Sequence, residues 1–255
     1  MITTAGLLGT ACTLLLLIIV CLELGIRWGA RAKALGEPKG IGTLEAAVFS
    51  LFGLLMAFTF SGALDRWSAR RALIVQETNA IGTAYLRVDL LPTQDQPLMR
   101  QLFRAYVASR IAVYHDVPNE DSTAVRLARA DGLQQEIWRH TANGVDGSAV
   151  SDGRRLFIPA LNEMFDVSTA RSAASHTHPP PVIFVLLALL GLVSSLIAGY
   201  SMGRTGRRSW LHLIGFAVTV AVSFWVVLEI EFPRQGLIRI DKADVALQQL
   251  LDGMK

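Results

Sequence analysis

The residues of this 255-residue chain that could do chemistry are few, and most stand at the ends of long uncharged runs. His176 and His178 lie two apart beside Pro179–Pro181. Two imidazoles could begin a metal site, but no third ligand stands near them in sequence. They read as a polar hinge at a membrane surface, and no metal or cofactor is expected. Cys12 and Cys21, on one helix, would stand about 13 Å apart along its axis, too far for a disulfide, and read as small apolar packing residues. Glu23 precedes Arg27 by one turn, the spacing of an interfacial ion pair rather than of an ion-handling carboxylate. Arg66, Arg70, Arg71 and Glu77 stand on one helix-compatible stretch, and Glu163 and Asp166 offer acids with which they could form a structural charge network.

Enzymatic signatures are missing. There is no Gly-x-x-x-x-Gly-Lys-Ser/Thr loop, no Gly-x-Gly-x-x-Gly, no His-Glu-x-x-His and no Gly-x-Ser-x-Gly. The basic turn GRTGRR is too short to cradle a phosphate between strand and helix. No catalytic cluster is evident, so an enzyme is not expected. The apolar runs hold no mid-membrane Asp, Glu, Lys, Arg or His, which weighs against an ion-coupled transporter.

The elements that position these residues follow from hydropathy. Hydrophobic residues make up 52% of the chain, too many for an ordinary soluble domain. Four uncharged windows, Thr3–Leu22, Ala46–Leu64, Pro179–Gly203 and Ser209–Leu228, each approach the ~20 residues that a spanning helix needs. A soluble fold would have to bury all four on every side, so the fold class is an all-α integral membrane protein with four transmembrane helices. The net charge of +3 is modest, and basic residues gather at the span edges, where lipid headgroups and topology call for them. Membrane lipid is the implied partner, and nucleic acid is not.

The expected organisation is spans one and two over 1–64, an extramembrane helical bundle over 65–178, spans three and four over 179–230, and a tail over 231–255. Span two is the organising element. From Leu44 to Leu91 no Pro or turn cluster intervenes, so one helix on the order of 70 Å could leave the membrane and continue as the charged rod DRWSARRALIVQETNAIGTAYLRVDLL. Within the membrane it carries a small-residue stripe, Ser50, Gly53, Ala57 and Ser61, expected to pack closely on another helix. Bulky Leu51, Leu54, Leu55 and Phe58 occupy other faces, where several copies together could form a dewetting pore neck. After the break LLPTQDQP, three amphipathic helices are expected over about Leu98–Val113, Ser122–Thr141 and Ser151–Ser175, and a short one after Asp241.

At span two, LMAFTFSGALDRWSARRALI resembles the bestrophin ion channels, through Leu55, Phe58, Ala63, Arg66, Trp67, Ala69 and Arg70. RRALIVQETNAIGTAYLRVDLLP, ALNEMFDVSTAR, the turn Gly203–Trp210 and FPRQGLIRID are similar to the bacterial bestrophin-like family, covering nearly the whole chain. The resemblance implies five copies around one pore, with span two lining it and Leu51, Leu54, Leu55 and Phe58 near the neck. It also implies inorganic ions as the transported species and a multi-pass protein of the bacterial inner membrane. The acidic calcium clasp of the animal channels is absent, so calcium gating is not implied. The basic residues of the short loops (seven) and of the bundle flanks (seven) balance, so charge alone does not orient the chain. The resemblance places the bundle in the cytoplasm. Two readings remain: a bestrophin-like oligomeric ion channel, or a non-conducting membrane scaffold or sensor whose bundle binds a protein partner.

Overall fold

The structure, a computed structural model, describes residues 4–35, 42–115, 120–143, 152–206, 209–232 and 241–254. The loop sequences GEPKG and GVDG, Ser151 at the start of the third expected bundle helix, Arg207, Arg208 and the run from Pro233 to Ile240 lie outside the described residues. Among the described residues there are eight α-helices: α1 (Thr4–Ala34), α2 (Gly42–Leu86), α3 (Gln96–His115), α4 (Glu120–Asn143), α5 (Asp152–His176), α6 (Pro181–Thr205), α7 (Trp210–Glu231) and α8 (Asp241–Gly253). Four helical stretches among these residues are long and apolar enough to cross a membrane, in α1, in α2, in the run ending with α6 and in α7.

The helices follow from their sequences. α2 runs unbroken for 45 residues because nothing between Gly42 and Leu86 removes a backbone donor or favours a turn. It tightens into a 3₁₀ turn, Arg87–Leu90, and stops where Pro92 follows. α6 starts with Pro181 in its first turn, where a missing N–H costs nothing, and ends at Gly206, whose φ of 72° is left-handed.

Two compact units result, each continuous in space but not in sequence. The membrane unit comprises Met1–Trp67 and His178–Arg239, and the bundle unit Ser68–Thr177 and Ile240–Lys255, so α2 contributes to both.

In the membrane unit, the core of Leu7, Leu14, Ile18, Leu22, Phe52, Leu187, Leu213, Ala217 and Phe224 draws on α1, α2, α6 and α7. The principal helix contact is α1 against α6, and glycine makes it. A Cβ at Gly25 would overlap the Leu196 carbonyl, one at Gly29 the Tyr200 carbonyl, one at Gly199 the Leu22 carbonyl and one at Gly203 the Ile26 carbonyl. Two GxxxG pairs, Gly25/Gly29 and Gly199/Gly203, therefore interlock backbone to backbone. This is the small-residue packing expected in lipid, but on α1 and α6 rather than on span two. The stripe Ser50, Gly53, Ala57 and Ser61 is exposed within the protomer, and a Cβ at Gly53 would meet nothing within 4 Å.

In the bundle unit, α3 buries Met99, Leu102, Phe103, Tyr106, Val107, Arg110 and Val113, a helical stripe. Leu98, where the sequence pattern starts this helix, is 41% exposed, because the buried stripe begins one residue later at Met99. α5 contributes Phe157, Leu161 and Met164, and α8 lays Leu247, with Met254 just after it, into the same core.

Enlarging Gly25 or Gly199 to Leu should destabilise the membrane unit at the upper end of the ~1–3 kcal/mol seen for overpacking, since the obstacle is backbone and cannot turn aside. Gly215→Ala, where a Cβ meets nothing within 4 Å, should leave stability unchanged or slightly raised. Thermal unfolding in detergent separates the two outcomes.

Candidate functional site

Two sets of side chains stand out: the apolar face of α2 and the buried charges.

Along the first part of α2, Leu51, Leu54 and Phe58 follow i, i+3, i+7 spacing and share one face. All three are exposed in the protomer, at 48%, 53% and 65%. Leu55, expected among the neck residues, is half-buried and packs with Met56 against the membrane-unit core beside Phe52. The reason is angular. Leu55 lies one step round the helix from Leu54, toward the side that Phe52 anchors on Gly191 of α6. Phe49 holds the same side against Phe216 of α7, with ring centroids 6.0 Å apart. Next to the bulky face lies the exposed small stripe, so the uncovered surface of α2 has a bulky half and a small half.

The charges of α2 have partners that the sequence did not name. Arg66 reaches Glu231 at the end of α7, with Nε at 2.9 Å and Nη2 at 2.8 Å from Oε2. The other oxygen of that carboxylate accepts a hydrogen bond from His178 Nδ1 at 3.0 Å. The His178 ring also stacks on Phe232 at 4.7 Å. Glu231 is fully buried, so the segment before α6, expected as a hinge, is fastened to α7 by a charge-assisted bond.

In the bundle unit, Glu77 is fully buried between two guanidiniums: Arg110 Nε donates to Oε1 at 2.6 Å and Arg171 Nη1 to Oε2 at 2.5 Å. Beside this triad Tyr106 is buried, accepts a hydrogen bond from Gln134 at 2.9 Å and is hydrogen-bonded with Ser168. Burial pushes its phenol up, so it stays protonated through the physiological range. Arg70, also buried, donates to the carbonyls of Ala174 at 3.1 Å and Thr177 at 2.8 Å, covering the C-terminal end of α5.

Glu163 and Asp166, the expected acids, stand exposed on α5, and Arg71 is exposed on α2. The buried stripe of α5 runs through Phe157, Ala160, Leu161, Met164, Ser168 and Arg171. Positions 163 and 166 fall on the opposite side of that stripe, which is why the network is closed by Arg171 instead. Arg110 escaped the sequence reading, although its signal was there: a cation four residues after Tyr106 on an apolar stripe requires a buried partner. Among the described residues no group of three or more His, Cys, Asp or Glu could hold a metal ion.

A family model of the bestrophin-like domain matches residues 12–245. The fold is similar to crystal structures of single-residue variants of a bacterial bestrophin homologue from Klebsiella pneumoniae. One superposes with a TM-score of 0.71 at 17% identity, covering 94% of this chain and 97% of that one. A second gives 0.67 at 16%, over 94% and 98%. The crystal structure of a membrane-protein variant gives 0.73 at 16%, over 96% and 97%. No curated protein matches the chain significantly.

Replacing Glu77 by Gln leaves two buried guanidiniums facing a neutral amide and should cost about 3–5 kcal/mol of bundle stability. Glu163→Gln, at an exposed site, should stay within about 0.5 kcal/mol of wild type. Chemical denaturation followed by circular dichroism checks both, and equal effects would remove the triad from its structural role.

Proposed function

The chain belongs to the bestrophin-like family, and from that premise we propose that it is a homo-oligomeric ion channel of the bacterial inner membrane with α2 lining the pore. The observation that carries this reading is the uncovered face of α2. Leu51, Leu54 and Phe58 are largely exposed in the protomer, and the small stripe beside them is exposed as well. In an assembly around an axis, the bulky half forms an apolar neck and the small half receives the α2 of a neighbouring copy. Leu55 then backs the neck rather than lining it.

An apolar constriction conducts only when it wets, so a neck of Leu and Phe holds the pore closed until it widens or becomes more polar. Inorganic ions are the transported species in this reading. Five copies and a cytoplasmic bundle are the arrangement that the family resemblance suggests, and an uncharged α2 face is compatible with it. Glu77, Arg110, Arg171 and Glu231, buried charges of the chain, are engaged in structural ion pairs.

Planar-bilayer recording of purified protein tests the proposal. Leu54→Ala/Phe58→Ala should raise conductance over wild type, on the order of tenfold, by letting the neck wet. Gly53→Leu should lower the oligomer fraction seen by light scattering, because the added side chain stands where a neighbouring helix packs. Silence from wild type and double variant alike, in a preparation of folded oligomer, would replace the channel with a non-conducting scaffold or sensor.

A further inference from the structure

We propose that the end of the membrane unit where α1 and α6 finish together is a binding site for the headgroup of an anionic phospholipid. The interlocked glycines set the geometry. Gly25 lies against Leu196 and Tyr200, and Gly29, one turn later, against Tyr200 and Arg204, so α1 and α6 run parallel and their C-termini emerge side by side. Lys33 Nζ donates to the Thr205 carbonyl at 3.5 Å across that junction.

Parallel packing brings the cations of two distant sequence segments to one place: Arg27, Arg31 and Lys33 from α1, and Arg204 from α6. Glu23, paired with Arg27 at 3.3 Å, offsets one of them. Among the described residues these cations outnumber the carboxylate paired with them. The two converging helix C-termini, each equivalent to about −0.5, offset part of that surplus. That remainder suits a phosphodiester.

Arg27 and Arg31, one turn apart, share the exposed side of α1, and the Arg27 side chain is 66% exposed. Two guanidiniums at this spacing can fork one phosphate.

The same side of α1 supplies the place for the chain below the phosphate. Leu17, Val20, Leu24 and Trp28, at i, i+3, i+7 and i+11, form a continuous exposed apolar column leading up to Arg31. From Leu17 to Arg31 the helix rises about 21 Å, more than the ~15 Å of one leaflet's hydrocarbon. Trp28 and Trp210, the latter opening α7 just after Gly206, are exposed at 53% and 59%, as indoles are at the headgroup boundary. A freely diffusing phosphate would use the cations but not the column, so the column favours the lipid.

Native mass spectrometry of the full-length protein in detergent, with phosphatidylglycerol and phosphatidylcholine of matched chains added together, tests the site. Wild type should retain phosphatidylglycerol in preference to phosphatidylcholine. That preference should fall about fivefold in Arg31→Gln and about twenty-five-fold in Arg27→Gln/Arg31→Gln. Arg31→Lys, which keeps the charge but not the fork, should fall between wild type and Arg31→Gln, with unfolding temperature and oligomer unchanged. Equal retention of the two lipids by wild type, or a preference untouched in both Gln variants, overturns the site. Displacement of phosphatidylglycerol by millimolar inorganic phosphate overturns the lipid as its occupant.

Discussion

A carboxylate buried between two guanidiniums is the constraint on which the bundle unit depends. Desolvating Glu77, Arg110 and Arg171 costs several kcal/mol per ion, recovered only when the geometry is good and the remaining polar groups are paired. The distances of 2.6 and 2.5 Å meet that condition. The three residues come from α2, α3 and α5, and both arginines stand on the stripes that otherwise carry Phe103, Tyr106, Leu161 and Met164. A rotation of any one helix by a single residue would leave a charge buried without its partner. The apolar stripes alone tolerate such slips, since Leu, Met and Phe substitute for one another with small penalties. The triad thus specifies the register that hydrophobic burial drives but does not define.

The membrane unit solves the same problem with other chemistry. Lipid is as apolar as leucine, so burying a leucine against another helix gains little, and close backbone approach must supply the attraction. Gly25, Gly29, Gly199 and Gly203 fix α1 on α6 by shape, since a Cβ at any of them meets a carbonyl oxygen of the facing helix. Charge enters at the ends of the spans, where Glu231 gathers Arg66 and His178 from two other segments. One unit is registered by ions in a protein core and the other by missing side chains in lipid.

The helices were legible in the sequence because their causes are local. Four uncharged windows set the spans, Pro92 and the His176–Pro181 run set breaks, and the absence of any breaker between Gly42 and Leu86 made α2 continuous. The partners of the charged residues were not legible, because periodicity gives the face of one helix and not its neighbour. Glu163 and Asp166 matched Arg70 in charge, but the stripe Phe157–Leu161–Met164–Ser168–Arg171 turns them outward. Two signals were present and unread. GxxxG occurs at Gly25/Gly29 and again at Gly199/Gly203, and Arg110 and Arg171 occupy positions that an apolar stripe assigns to the core.

The face of α2 is a different case, since neither sequence nor protomer assigns it an occupant. Exposure of Leu51, Leu54 and Phe58 carries no penalty in lipid and by itself asks for no partner. The small residues beside them argue further. Glycine within a helix costs about 1 kcal/mol relative to alanine, and at Gly25 or Gly199 the facing backbone explains that cost. At Gly53 nothing in the protomer does, and Ser50, Ala57 and Ser61 extend the same narrow strip. A helix that faced only acyl chains would gain from larger side chains there. A strip kept small next to a strip kept bulky is what α2 requires if it meets a second copy on one side and an axis on the other.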